Sequence, residues 1–137
     1  MDSARTTRRL PAHPYRRPEL DTKDIANQLV ALCREGRNIE AIETLYADDV
    51  ISLEVMEPMR EVHGREGVLG KAHWWQGAHE VHGASVDGPW PNGDQFIVRF
   101  QFDITQKETG KRVQMDEVGL YTVRDGKITE EKFFYAT

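Results

Sequence analysis

The residues best suited to chemistry in this chain are carboxylates and the hydroxyls near them. Glu117 is the one acid among alternating apolar positions between 96 and 123, and Tyr121 shares its parity. Burying a lone carboxylate is expensive, so Glu117 must be paired, protonated or turned to a cavity. A carboxyl in apolar surroundings has a raised pKa and can exchange protons near neutral pH, while a tyrosine hydroxyl can steady developing oxygen charge. His82 is another candidate, because Gly83 beside it suggests a bulge or close approach on a strand. Plainer readings stand beside these: Glu117 as a structural carboxylate bonded to Tyr121, to a histidine or to a helix end, and His82 as an ordinary strand histidine. No nucleophile motif, phosphate loop or dinucleotide fingerprint is present, so no cofactor is implied. His79 and His82 are three apart, which on a strand points them to opposite faces, and no other spacing suits a metal.

These groups need elements to position them. Asp21 and Asp24 form an acidic start for a helix whose buried face is Ile25, Leu29, Leu32 and Cys33, and Gly36 closes it. Asn38 opens a second helix that buries Ile39, Ile42, Leu45 and Tyr46. A short β-type run covers 50–56, and Pro58 and Gly64 bracket a loop. A third helix fits 65–76, with Val68, Ala72 and Trp75 in register, so Trp75 either roofs a pocket or packs in the core. Four β-type segments follow at about 80–90, 95–106, 111–124 and 127–136. Three helices first and an antiparallel meander afterwards predict an α+β domain over residues 21–137.

Two turns set the register. The four-residue turn at 107–110 pairs Phe100 with Glu117 and Phe96 with Tyr121, and the Asp125-Gly126 hairpin turn pairs Val123 with Ile128 and Glu117 with Phe134. One face then carries Phe100, Phe102, Met115 and Phe134 around Glu117, a wall suited to a small hydrophobic ligand. Gly119 beside Glu117 leaves space on that face. The opposite face is polar except for Val118, Leu120, Phe133 and Tyr135, an apolar island that predicts a homodimer surface. Glu131 falls on that opposite face as a solvated or interface charge.

The totals bound the rest. One domain suits 137 residues, and no apolar run approaches the ~20 residues of a membrane helix. Residues 1–20 hold five arginines against Asp2 and Glu19, a surplus of three positive charges, so residues 21–137 carry −8 of the net −5. An acidic body argues against nucleic-acid binding, and the polar, proline-containing arm reads as a disordered tail. No apolar stretch follows the arginines to make a secretory signal. Cys33 is the only cysteine, which excludes an intrachain disulfide and favours a cytoplasmic setting.

Three stretches, Glu40–Glu54 (EAIETLYADDVISLE), His63–Trp75 (HGREGVLGKAHWW) and Val118–Tyr135 (VGLYTVRDGKITEEKFFY), resemble the SnoaL-like, polyketide cyclase-like branch of the nuclear-transport-factor-2-like superfamily. The resemblance covers about residues 22–137 and implies a cone-shaped α+β barrel, three helices packed on a curved antiparallel sheet with an internal pocket. The fold hosts isomerases, cyclases, dehydratases, hydrolases and binding proteins, so it does not by itself name an activity. Against the ketosteroid isomerases of that superfamily, Leu45-Tyr46-Ala47-Asp48-Asp49 matches the run before the base, and the base position falls on Glu54. Strand alternation alone turns Glu54 outward with Val50 and Ser52, whereas the resemblance turns it inward. The isomerase donor positions fall on Leu29 and near Gly119, so both donors are missing and steroid isomerase chemistry is disfavoured. Two readings remain. One is a cofactor-independent acid–base enzyme using Glu54, Glu117, Tyr121 and His82, with Trp75, Phe100, Phe102, Met115 and Phe134 around the ligand. The other is a non-catalytic ligand-binding or interaction module on the same fold.

Overall fold

The computed structural model describes residues 21–137, so the expected arm at 1–20 lies outside the described residues. Helix α1 (Thr22–Arg34) starts where Asp21 Oδ1 accepts the Asp24 amide at 2.8 Å, and it ends at Gly36, whose φ of +74° suits only glycine without strain. Its buried face is Ile25, Ala26, Leu29 and Val30. Helix α2 (Asn38–Leu45) buries Ala41, Ile42 and Leu45. Tyr46 is buried as expected but opens strand β1 (Tyr46–Leu53) rather than closing the helix. The loop expected after it contains a short strand, β2 (Glu61–His63). Helix α3 (Arg65–Ala78) leads into β3 (His79–Asn92), β4 (Gln95–Gln106), β5 (Lys111–Arg124) and β6 (Lys127–Phe134).

The six strands form one curved sheet in the order β2-β1-β6-β5-β4-β3. It is mixed rather than antiparallel throughout, because β1 runs parallel to β6. Helix α1 packs against β3 and β4, and α3 packs against β1, so one sheet face is covered and the other is open. The core between helices and sheet joins Ile25, Leu29, Val50, Val68, Phe96, Val98, Tyr121 and Ile128, all at most 2% exposed. Each such side chain contributes about 1.5–3 kcal/mol on burial.

The β4–β5 register is the one the sequence implies: Phe100 lies opposite Glu117 and Phe96 opposite Tyr121. The β5–β6 hairpin departs from expectation. Its turn is regular, with Asp125 at φ +53° and Gly126 at +75°, and Val123 pairs with Ile128. Thr122 then pairs with Glu130, so β6 carries one extra residue, Thr129, as a bulge. Beyond that bulge every β6 side chain changes face. Glu131, Phe133 and Tyr135 turn toward the helices, and Phe134 turns to the open face, 47% exposed and beneath the Lys132 ammonium at 5.5 Å. Phe134 therefore leaves the inner wall and Phe133 takes its place. For the same reason the apolar island loses Phe133 and Tyr135, and Glu131 is not a surface charge. Gly119 leaves no empty space either: an added Cβ there would lie 2.9 Å from the Tyr121 ring and 3.1 Å from that of Phe133.

Candidate active site

The covered face brings together polar side chains from β1, α3, β5 and β6. Ser52 on β1 and Glu54, the residue just past its end, share that face. Val50 and Ser52 are fully buried there, so the expectation that alternation turns Glu54 outward is reversed. The cause is that this stretch of covered face is polar rather than apolar. Lys71 reaches it from α3 because its position, between Val68 and Trp75, lies along the buried stripe of the helix. Its ammonium contacts Glu54 Oε2 at 2.5 Å and donates to Ser52 Oγ at 2.7 Å, and it lies 5.1 Å from the Phe133 ring centre. Glu54 and Lys71 side chains are only 15% and 14% exposed, so this pair is shielded from the screening that weakens surface ion pairs. The Tyr135 hydroxyl donates to the other Glu54 oxygen at 2.8 Å. Burial, with that bond second, pushes the Tyr135 pKa up to about 12, which keeps it a donor.

Behind this layer sits Glu131, 4% exposed. It accepts from Ser52 Oγ at 2.6 Å and from the Tyr46 hydroxyl, which makes a short bond to its other oxygen. Burial raises the Glu131 pKa, and the two hydroxyl donors and Lys71 oppose that rise. Glu117 is half-buried beside Phe100, and its carboxyl has no hydrogen-bond or ion-pair partner among the described residues. Burial, then the negative charge of Glu54, push its pKa up to about 7, with Lys71 pulling the other way. The structural roles expected for Glu117, bonding to Tyr121, a histidine or a helix end, are not seen among the described residues.

The aromatic wall runs alongside. Trp75 and Phe102 ring centres are 5.2 Å apart, Phe100 and Phe102 6.1 Å, and Phe100 and Phe133 6.5 Å. Phe100 is buried, whereas Phe102, Met115 and Trp75 are half-buried, so the wall opens toward α3 and the Glu117 end of β5. The His79 ring is tilted against Trp75 with centres 4.5 Å apart, and its Nδ1 meets the Trp75 carbonyl at 2.8 Å.

Two sequence candidates lie elsewhere. His82 sits at a β3 irregularity, as Gly83 suggested, but it is exposed and bonded to Thr105 Oγ1 at 2.7 Å, on the open face with Asp103. It takes no part in the cluster. Tyr121 is on the covered face but sealed at 2% exposure, stacked on Phe96 at 4.9 Å. The donor beside a half-buried carboxylate is Tyr135 instead. Sequence reasoning also missed Lys71, whose signal was its place in the Val68–Trp75 stripe, and Ser52 and Tyr46, which carried none. Among the described residues no group of three or more metal-ligating side chains is arranged to hold an ion. No helix among them is long and apolar enough to cross a membrane.

Comparison with known proteins identifies the family and the fold. A family model described as a SnoaL-like domain matches residues 20–135, which is nearly all of the chain. The chain belongs to the SnoaL-like family. Its fold is that of the nuclear-transport-factor-2-like superfamily. A crystal structure from Mesorhizobium loti, whose name likens it to SnoaL-like polyketide cyclases and also mentions carbohydrate phosphatase, is 55% identical, with a TM-score of 0.82 over 85% of this chain and 100% of that one. A Catenulispora acidiphila protein with a ketosteroid isomerase-like fold, in complex with trimethylamine, is 21% identical (TM-score 0.66; 84% of this chain, 87% of that). A Jannaschia protein also named for SnoaL-like polyketide cyclases is 16% identical (TM-score 0.69; 87% and 90%). The last two show the fold alone. Among proteins of curated function, none matches.

Proposed function

We propose that this SnoaL-like protein is a cofactor-independent acid–base enzyme acting on a small, largely apolar carbonyl compound of cyclic or polyketide-like type. The observation that carries the reading is the pair of carboxyls at one aromatic wall in opposed states. Glu54 is an ion-paired carboxylate, while Glu117 is unpartnered among the described residues and pushed up to about 7. A carboxylate held by a cation and a carboxyl whose burial favours its protonated form divide into a base and an acid. Glu54, held by Lys71 and Tyr135, removes a proton next to the substrate carbonyl. Glu117, protonated over much of the range below neutrality, donates to the oxygen that becomes enolate-like. Trp75, Phe100, Phe102, Met115 and Phe133 exclude water and set the ring in place, which strengthens both interactions. The substrate enters a pocket between this wall and the helices.

The test is a panel of small cyclic ketones and polyketide-like aromatics, read by melting shift and by mass spectrometry of products. Product formation that is lost in Glu54→Gln and Glu117→Gln supports the enzyme. Melting shifts without product would favour the binding module instead, and turnover unchanged in both variants would sink the assignment.

The open face supports a second proposal, a homodimer, on a revised patch. Val118 and Leu120 stay there, joined by Trp90, Ile97 and Phe134, which are 54%, 38% and 47% exposed. A cleft lined by Trp90, Gln95, Ile97 and Leu120 lies within this patch. Sedimentation at micromolar concentration should give a dimer, and Ile97→Asp with Leu120→Asp should give a monomer. A wild-type monomer would refute the patch as an interface between copies.

A further inference from the structure

We infer that Glu131 is a positioning residue for Glu54: acting through Ser52 and Lys71, it holds the carboxylate of the proposed base from behind the site. The inference rests on the acid–base reading for the purpose it assigns to Glu54, but the chain of contacts is independent of that reading. Glu131 is 4% exposed and Ser52 fully buried, so both lie beneath the accessible surface. Their backbones are paired neighbours on parallel β6 and β1, Ser52 opposite Glu131, which puts the two side chains side by side. That placement exists only because the Thr129 bulge turned Glu131 inward.

Proton counting gives the chain a direction. A serine hydroxyl has one hydrogen, and Ser52 gives it to Glu131 Oε2 at 2.6 Å. Ser52 therefore meets Lys71 only with a lone pair. An ammonium group has donors and no acceptor, so the 2.7 Å contact from Lys71 Nζ to Ser52 Oγ requires that orientation. With one N–H fixed on Ser52, Lys71 aims another at Glu54 Oε2. Tyr46 takes the remaining Glu131 oxygen, so the carboxyl at the back of the chain cannot swing away. Tyr135 holds Glu54 from the other side. A glutamine at 131 has one acceptor oxygen where two hydroxyls need one each. Its amide nitrogen would turn either the Ser52 or the Tyr46 hydrogen away.

The experiment reads the Lys71 ammonium itself. In nitrogen-15 spectra that detect lysine side chains, wild-type protein should show a slowly exchanging ammonium signal that disappears in Lys71→Arg. Glu131→Gln and Ser52→Ala should each shorten its exchange lifetime at least about tenfold, and the double variant should do no more than either single change. Ser52→Thr, which keeps the hydroxyl, should restore the signal, which a merely packed serine would not require. Amide spectra of each variant report whether it is folded. If Glu131→Gln does not fold, the contrast between Ser52→Ala and Ser52→Thr decides. Protection within twofold of wild type in Ser52→Ala, or in folded Glu131→Gln, overturns the proposal. Turnover that survives Glu54→Gln would remove Glu54 as the base and leave the ammonium result standing, so the two failures are distinguishable.

Discussion

Asp116 and Glu117 are adjacent on β5 and face opposite sides of the sheet. Asp116 lies on the open face, exposed, with both oxygens clamped by Arg99 at 3.0 and 2.7 Å. The arginine hydrogen bond, outweighing slight desolvation, holds its carboxyl below the usual range. Glu117 lies on the covered face, where burial pushes it up to about 7. Asp103 repeats the first pattern with Arg112, and Glu131 repeats the direction of the second. The face a carboxylate occupies, not its residue type, sets its protonation. On one face it joins a screened surface pair of small consequence. On the other it holds a proton that the fold has made exchangeable at neutral pH.

The contrast can be broken first at Glu54. Glu54→Gln should lower turnover on the protein's substrate by roughly 10²–10⁴, the usual worth of a general base, while Asp116→Asn leaves it within about twofold. Next comes pH. Because the Glu117 pKa is raised on folding, the folded state binds more protons than the unfolded chain between pH 4.5 and about 7. Stability contributed by this group therefore falls as pH rises through that window, by up to about 3 kcal/mol. Glu117→Gln should melt higher than wild type at pH 8 and match it near pH 4. Asp116 has the opposite sign: its pKa is lowered, so its pair contributes above the usual carboxylate pKa and is lost as pH falls below it. Tyr135→Phe removes one hydrogen bond to Glu54 and should cost roughly tenfold in turnover, the worth of one such bond to a charged group. The smallest effect belongs to the open face, where Asp116→Asn should lower the melting temperature slightly in dilute buffer and not at all in about 1 M salt.

The β4–β5 hairpin was legible in the sequence because Phe96, Val98, Phe100, Phe102 and Ile104 alternate strictly and a four-residue turn leaves one register. The β6 strand was not, and the reason is local. Its residues come as Glu130-Glu131 and Phe133-Phe134, so either register gives each face one glutamate and one phenylalanine, and that pattern does not reveal the bulge. Alternation also misled at β1, where Ile51, Leu53 and Val55 look like the buried set. The covered side instead carries Ser52 and Glu54, satisfied by Lys71 and Glu131. Family resemblance placed Glu54 where periodicity did not, because it drew on the preceding Leu45–Asp49 run. Lys71 was legible in principle, as the cation at the apolar spacing of α3.

The division of roles between Glu54 and Glu117 depends most directly on the protonation state of Glu117. Carboxyl carbon-13 spectra of glutamate-labelled protein, titrated from pH 4 to 9, should show this side chain changing with a midpoint near 7, and falling when Glu54→Gln removes the neighbouring negative charge. A Glu117 midpoint in the ordinary carboxylate range of about 4 to 5 would contradict it.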